Sequence, residues 1–180
     1  MKKTVLKCAL VGGLILFVWG FISWMVLPWH QMCYRSFKNE KQVQQVIKDN
    51  ANGEGIYILP HCCNQDRNEL SHLRKEGPSM FACVRMTGYH MGAKHLLISL
   101  ITQIVGAAVV GWMLMQLKTK EYKSKVLFVT AAGFFVGLMG VLPSWNWWGF
   151  PLGYTVVLWL DLIIGWFLAG LAMASVVKKK

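Results

Sequence analysis

The sequence predicts an all-α transmembrane four-helix bundle with a small extracytoplasmic α+β insert between helices 1 and 2. Three observations carry that prediction. Four apolar runs occupy residues 8–27, 95–117, 126–142 and 153–177, and about 20 residues rising ~1.5 Å each cross a hydrocarbon core of ~30 Å. Lysines flank one end of every run: Lys2, Lys3 and Lys7, then Lys118, Lys120, Lys123 and Lys125, then Lys178, Lys179 and Lys180. Tryptophans gather at the opposite ends of the first, third and fourth runs. An indole settles at a membrane–water boundary because its body is apolar while its N–H stays wet.

Composition narrows the partners. The 180 residues are 55% hydrophobic and carry a formal charge of +11. Nucleic acid could explain a basic chain, but these lysines abut apolar runs, so the charge reads as a positive-inside pattern and nucleic acid is not expected. The lipid bilayer is the expected partner, with attraction to anionic headgroups as a by-product.

In chain order, residues 1–27 give a cytoplasmic N-terminus and the first span. The run is long for a signal-peptide core and ends in Leu27-Pro28-Trp29 rather than in small residues, so an uncleaved signal anchor is expected. Neither Cys8 nor Cys33 follows a lipobox, and no lipoprotein is inferred.

Residues 28–94 form the insert. Ser36 is placed to cap a helix reaching residue 51, with Val43, Val46, Ile47 and Ala51 on one face. Residues 55–60 read as a strand closed by Pro60, residues 65–76 as a polar helix, and residues 80–86 as a second strand. At this size its own core is marginal.

Residues 95–117 make the second span, 118–125 a basic cytoplasmic loop, 126–142 the third span, 143–152 an extracytoplasmic aromatic turn, 153–177 the fourth span and 178–180 a cytoplasmic tail. Gly133-x-x-x-Gly137, Gly165-x-x-x-Ala169 and Gly170-x-x-x-Ala174 space small residues four apart, as close helix packing in membranes requires. Four spans starting inside leave both termini in the cytoplasm.

Asp161 is the only acid within the four runs, and a carboxylate in hydrocarbon is a functional candidate by default. Gln103 lies at a matching depth on the second span, which runs in the same direction. An intramembrane polar pair of Asp161 with Gln103, assisted by Thr102 or Ser99, is therefore expected. It either fixes helix register or serves a proton or cation step. A lone acid excludes an aspartyl dyad, and H-E-x-x-H, phosphate-loop and dinucleotide fingerprints are absent.

Cysteine and histidine concentrate in the insert. Cys33, Cys62, Cys63 and Cys83 would form two disulfides in an oxidising compartment, the adjacent pair bonding to Cys33 and Cys83 in one of two ways. Alternatively His30-x-x-Cys33 and His61-Cys62-Cys63 offer soft ligands to copper. No C-x-x-C supports a thioredoxin-like reaction. Trp145, Trp147, Trp148 and Phe150 form an interfacial aromatic group, either as an anchor or as a docking surface. Trp19, Trp24 and Trp29 add a second aromatic column at the same outer boundary.

Several segments carry a resemblance: WMVLPW at 24–29, GIYILP at 55–60, Gly77-Pro78, WNWWGFPLG at 145–153, Asp161, and GWFLAG at 165–170. Together they resemble a group of small, uncharacterised bacterial four-helix membrane proteins. The resemblance implies four spans and a small external insert, and no activity. His61-Cys62-Cys63 lies outside that pattern.

The function expected from the sequence is a non-enzymatic accessory or interaction role, with another membrane protein or a second copy of the chain as partner and no cofactor. Copper or thiol-redox handling through the insert is the alternative, and proton- or cation-coupled transport through Asp161 the third.

Overall fold

The computed structural model describes residues 2–61, 67–119 and 121–177. Its elements, in chain order, are α1 (Lys2–Phe21), α2 (Glu40–Asn50), β1 (Gly55–Leu59), α3 (Arg67–Glu76) and β2 (Met80–Val84). Then follow α4 (Ala93–Leu114), α5 (Tyr122–Gly140), α6 (Leu142–Trp148) and α7 (Leu152–Val176). Two compact units divide them, Met1–Tyr34 with Met91–Lys180, and Arg35–His90.

In the first unit, four helical stretches among the described residues are long and apolar enough to cross a membrane: Lys2–Val26, Ala93–Leu114, Tyr122–Trp148 and Leu152–Val176. Helix α7 holds them together, packing on α5 along one side and on α1 along another, while α4 packs on α1. The core joins Cys8 and Leu16 of α1, Ala107 of α4, Val129 of α5, and Trp166 and Met173 of α7. Small residues make these seams. A Cβ on Gly133 of α5 would stand 2.6 Å from Trp166 Cβ and 2.8 Å from the Leu162 carbonyl oxygen, and one on Gly13 of α1 would stand 2.6 Å from the Ile104 Cα. Lipid offers helices no hydrophobic reason to associate, so backbone approach and dispersion must supply it.

Two stretches differ from expectation, each for a local reason. The third span starts at Tyr122, because Lys125 is buried within it and donates from Nζ to the Val177 carbonyl at 2.8 Å. An ammonium there satisfies an orphan carbonyl at the end of α7 and opposes the helix dipole favourably. The aromatic stretch is a helix, α6, rather than a turn: Pro143 sits in its first turn, where a missing N–H is harmless. Gly149 closes it at φ 68°, with its N–H and that of Phe150 both donating to the Ser144 carbonyl.

In the second unit, α2 begins at Glu40, not after Ser36. Asn39 caps it, Oδ1 accepting from the Gln42 N–H at 3.1 Å, while Glu40 accepts from the Phe37 N–H at 2.7 Å. Strands β1 and β2 pair antiparallel, Gly55 opposite Val84 and Leu59 opposite Met80. Leu70 and Val84 are the hydrophobic side chains buried there among the described residues, a small core for this length of chain.

Candidate functional site

The site forms in the first unit, where α1 gives out. Its last turn widens into a π-helical segment, Ile22–Val26, closed by the Leu27 N–H donating to the Ile22 carbonyl at 3.0 Å. Such widened turns recur at functional sites. Here the segment buries Ser23 completely, and the chain then turns through Pro28 so that His30 returns to the bundle, 1% exposed.

Five hydrogen-bonding side chains meet there: Trp19, Ser23, Trp29, His30 and Asp161. The Trp19 indole N–H donates to Asp161 Oδ1 at 2.6 Å and to the Asp161 carbonyl at 3.0 Å. The Trp29 indole N–H donates to Ser23 Oγ at 3.0 Å and to the Ser23 carbonyl at 3.1 Å. His30 Nε2 lies 3.0 Å from Ser23 Oγ and 3.7 Å from Asp161 Oδ2. The imidazole stacks on Trp24 with centroids 3.9 Å apart and meets Trp29 edge-on at 5.7 Å.

These distances fix the chemistry available. A carboxylate oxygen facing Nε2 favours the tautomer with its proton on Nε2. Nδ1 is buried and has no hydrogen-bond partner among the described residues. In a hydrolytic triad the hydroxyl addresses one ring nitrogen and the acid the other. Here Ser23 and Asp161 both address Nε2, so the three residue types are present without the order that relays a proton to a nucleophile. Burial pushes the His30 pKa below its ordinary value, with the Asp161 charge opposing that shift, so His30 is held neutral. The cluster braces α1, the chain after it and α7.

Asp161 also faces a cavity of about 390 Å³ walled by α1, α4 and α7. Gln103 and Ser99 line the same cavity. No hydrogen bond joins Gln103 to Asp161 among the described residues, because α7 packs on α1 and α5, and Trp19 of α1 reaches the carboxylate first. Thr102 is turned away, donating to the Ile98 carbonyl at 2.8 Å. Trp19 and His30 were the partners that sequence reasoning missed. A tryptophan well inside an apolar run still needs an acceptor for its N–H, and Trp19 carried that signal.

The cysteine expectations are met differently. Cys33 and Cys83 are free thiols, and no disulfide forms among the described residues. Cys33 Sγ instead donates to the Trp29 carbonyl at 3.3 Å. Cys62 and Cys63, like Lys120 and residues 178–180, lie outside the described residues. His30 is enclosed by Trp24, Ser23 and Asp161, with its Nε2 3.0 Å from Ser23 Oγ. No three His, Cys, Asp or Glu side chains converge among the described residues. His61 stands exposed at the end of the segment following β1.

Of the interfacial aromatics, Trp145, Trp147 and Trp148 project from α6 and are 42%, 77% and 48% exposed. Phe150 is half-buried, its ring 6.0 Å from that of Tyr154.

No family model matches the chain, and no curated protein or solved structure matches it.

Proposed function

We propose that the chain is a four-span protein of the bacterial inner membrane with a non-enzymatic interaction role, docking another membrane protein through the tryptophans of α6. In this reading α1 is a signal anchor, both termini are cytoplasmic, and Arg35–His90 and α6 lie on the far side. Lysine clusters beside the apolar runs support that orientation. The observation that carries the role is Trp147, 77% exposed in the last turn of a short helix that presents three indoles. Aromatic anchors of this kind are enriched where interfaces concentrate their affinity. The ring nitrogens of His30 support the same reading, since the buried cluster is ordered as a brace rather than as a relay.

A photo-crosslinking amino acid at position 147, in cells, tests this. One discrete protein adduct of fixed size is expected, lost when Trp145 is changed to Ala. Adducts to lipid alone would reduce α6 to an anchor. Alkaline phosphatase fused after residue 150 should be active and after residue 177 inactive.

The Asp161–His30 pair beside a cavity favours a second reading, in which Asp161 takes part in a proton or cation step.

A further inference from the structure

We propose that the cavity between α1, α4 and α7 binds an organic ammonium cation, its charged head against Asp161 and its apolar body along the aromatic wall. The inference goes beyond docking through α6 and does not depend on it.

Size, charge and wall chemistry agree. About 390 Å³ falls within the range of small-molecule pockets, which are mostly apolar with a few placed polar groups. The polar groups here are one carboxylate, one amide and one hydroxyl. Asp161 comes from α7, and Gln103 and Ser99, one helical turn apart, come from α4. Asp161 lines the cavity; its Oδ1 is engaged by Trp19, while Oδ2 accepts no hydrogen bond among the described residues and has His30 Nε2 at 3.7 Å. No lysine or arginine lines the cavity among the described residues, and His30 is kept neutral by its burial. The carboxylate therefore lacks a full counter-charge, and in a low-dielectric bundle that deficit is what a cation would fill.

The remaining wall selects the kind of cation. Phe17, Trp19, Phe21, Trp24 and Trp166 line it. Aromatic faces attract a desolvated ammonium through the ring quadrupole and recognise quaternary ammonium in particular. A hydrated metal ion would gain nothing from five aromatic side chains, and an anion would be repelled by Asp161. The ammonium could belong to a free hydrophobic amine or to an amine-headed lipid, since both present the same head.

The full chain, purified in a mild non-ionic detergent, tests this with benzyltrimethylammonium and its uncharged carbon isostere, neopentylbenzene. Saturable quenching of tryptophan fluorescence by the cation is expected, with affinity for the isostere lower by about tenfold or more. Asp161→Asn should weaken the cation about tenfold and leave the isostere unchanged. Because Asp161 also braces the fold, Gly20→Leu provides a second arm. Gly20 lines the cavity, and a Cβ there meets no atom within 4 Å, so leucine fills the space with Asp161 intact. Loss of cation binding with unchanged melting is expected. Equal affinity for cation and isostere, or undiminished binding in Gly20→Leu, overturns the proposal. Competition by phosphatidylethanolamine but not phosphatidylglycerol in nanodiscs assigns the head to a lipid. Retained binding in both assigns it to a free amine.

Discussion

Helix α7 joins two neighbours by opposite means. Against α5 it packs through absence of side chains: Gly133 and Gly170 bring backbones together, and Gly137 makes room for the Trp159 ring. Against α1 it adds a polar pin, Trp19 to Asp161, beside a seam where Gly165 meets the Trp19 ring, and there it leaves a cavity. The α5 seam is closed at Gly133 and Gly137, with its charge, Lys125, and a pocket of about 350 Å³ set toward the start of α5. The α1 seam holds its acid at the cavity itself. A membrane helix can thus reserve one side for rigidity and the other for a site, because close backbone packing, with hydrogen bonds from Tyr122, Lys125 and Trp159, secures the first and frees the second from close packing.

The largest expected effect lies on the closed seam. Gly133→Ala places a methyl 2.6 Å from Trp166 Cβ and 2.8 Å from a backbone oxygen. Overpacking of that kind costs about 1–3 kcal/mol or more, which outweighs the ~1 kcal/mol gained by replacing glycine in a helix. A clear drop in melting temperature in detergent is expected. An unchanged melt would mean that α5 and α7 are further apart than described.

On the open seam the pin should show the asymmetry of buried hydrogen bonds. Trp19→Phe or Asp161→Leu alone leaves a partner unsatisfied, at about 1–3 kcal/mol each. The double variant should cost less than the sum, and a double-mutant cycle measures the difference. Strict additivity would argue that the two residues do not touch.

Smaller still is the pH response of His30. Its folded pKa is lowered by burial, so as pH falls below about 6.5 the unfolded chain takes up the proton first. Stability is complete above that pH and is lost as pH falls toward the folded pKa. His30→Gln should flatten the melting profile across that interval. A profile identical to wild type would place the titration elsewhere.

These seams were unequally legible in the sequence. Small residues four apart at Gly133, Gly165 and Gly170 announce close packing, because spacing along one helix is enough to define a face. The acid was also legible, as the sole carboxylate in an apolar run. Its partners were not. Trp19 and His30 come from before and after a π-helical turn that shifts the register by one residue, and no 3.6-residue pattern foretells which side chains then converge. Gln103, at the right depth on α4, stands on the cavity wall instead, since depth fixes height in the bundle but not the neighbour. In Arg35–His90 the strands were readable as short apolar runs, the first closed by Pro60, whereas the start of α2 was misplaced because Ser36, Asn39 and Glu40 offer competing caps.

The smallest effect is expected at Gly20, on the open seam. Gly20→Ala meets nothing within 4 Å, and should leave the melt unchanged or raise it by up to ~1 kcal/mol. Set beside Gly133→Ala, the same substitution would then have opposite signs on the two sides of the bundle. Destabilisation at both positions would erase the distinction.

The most direct measurement is the indole spectrum of ¹⁵N-tryptophan-labelled protein in detergent, for wild type and Asp161→Asn. A 2.6 Å bond from the Trp19 N–H to a carboxylate is short and charge-assisted, which moves the proton strongly downfield. One downfield indole signal, assigned by its absence in Trp19→Phe, should move upfield in Asp161→Asn while those of α6 stay in place. A Trp19 signal indifferent to Asp161 would contradict the pin, and with it the division of labour along α7.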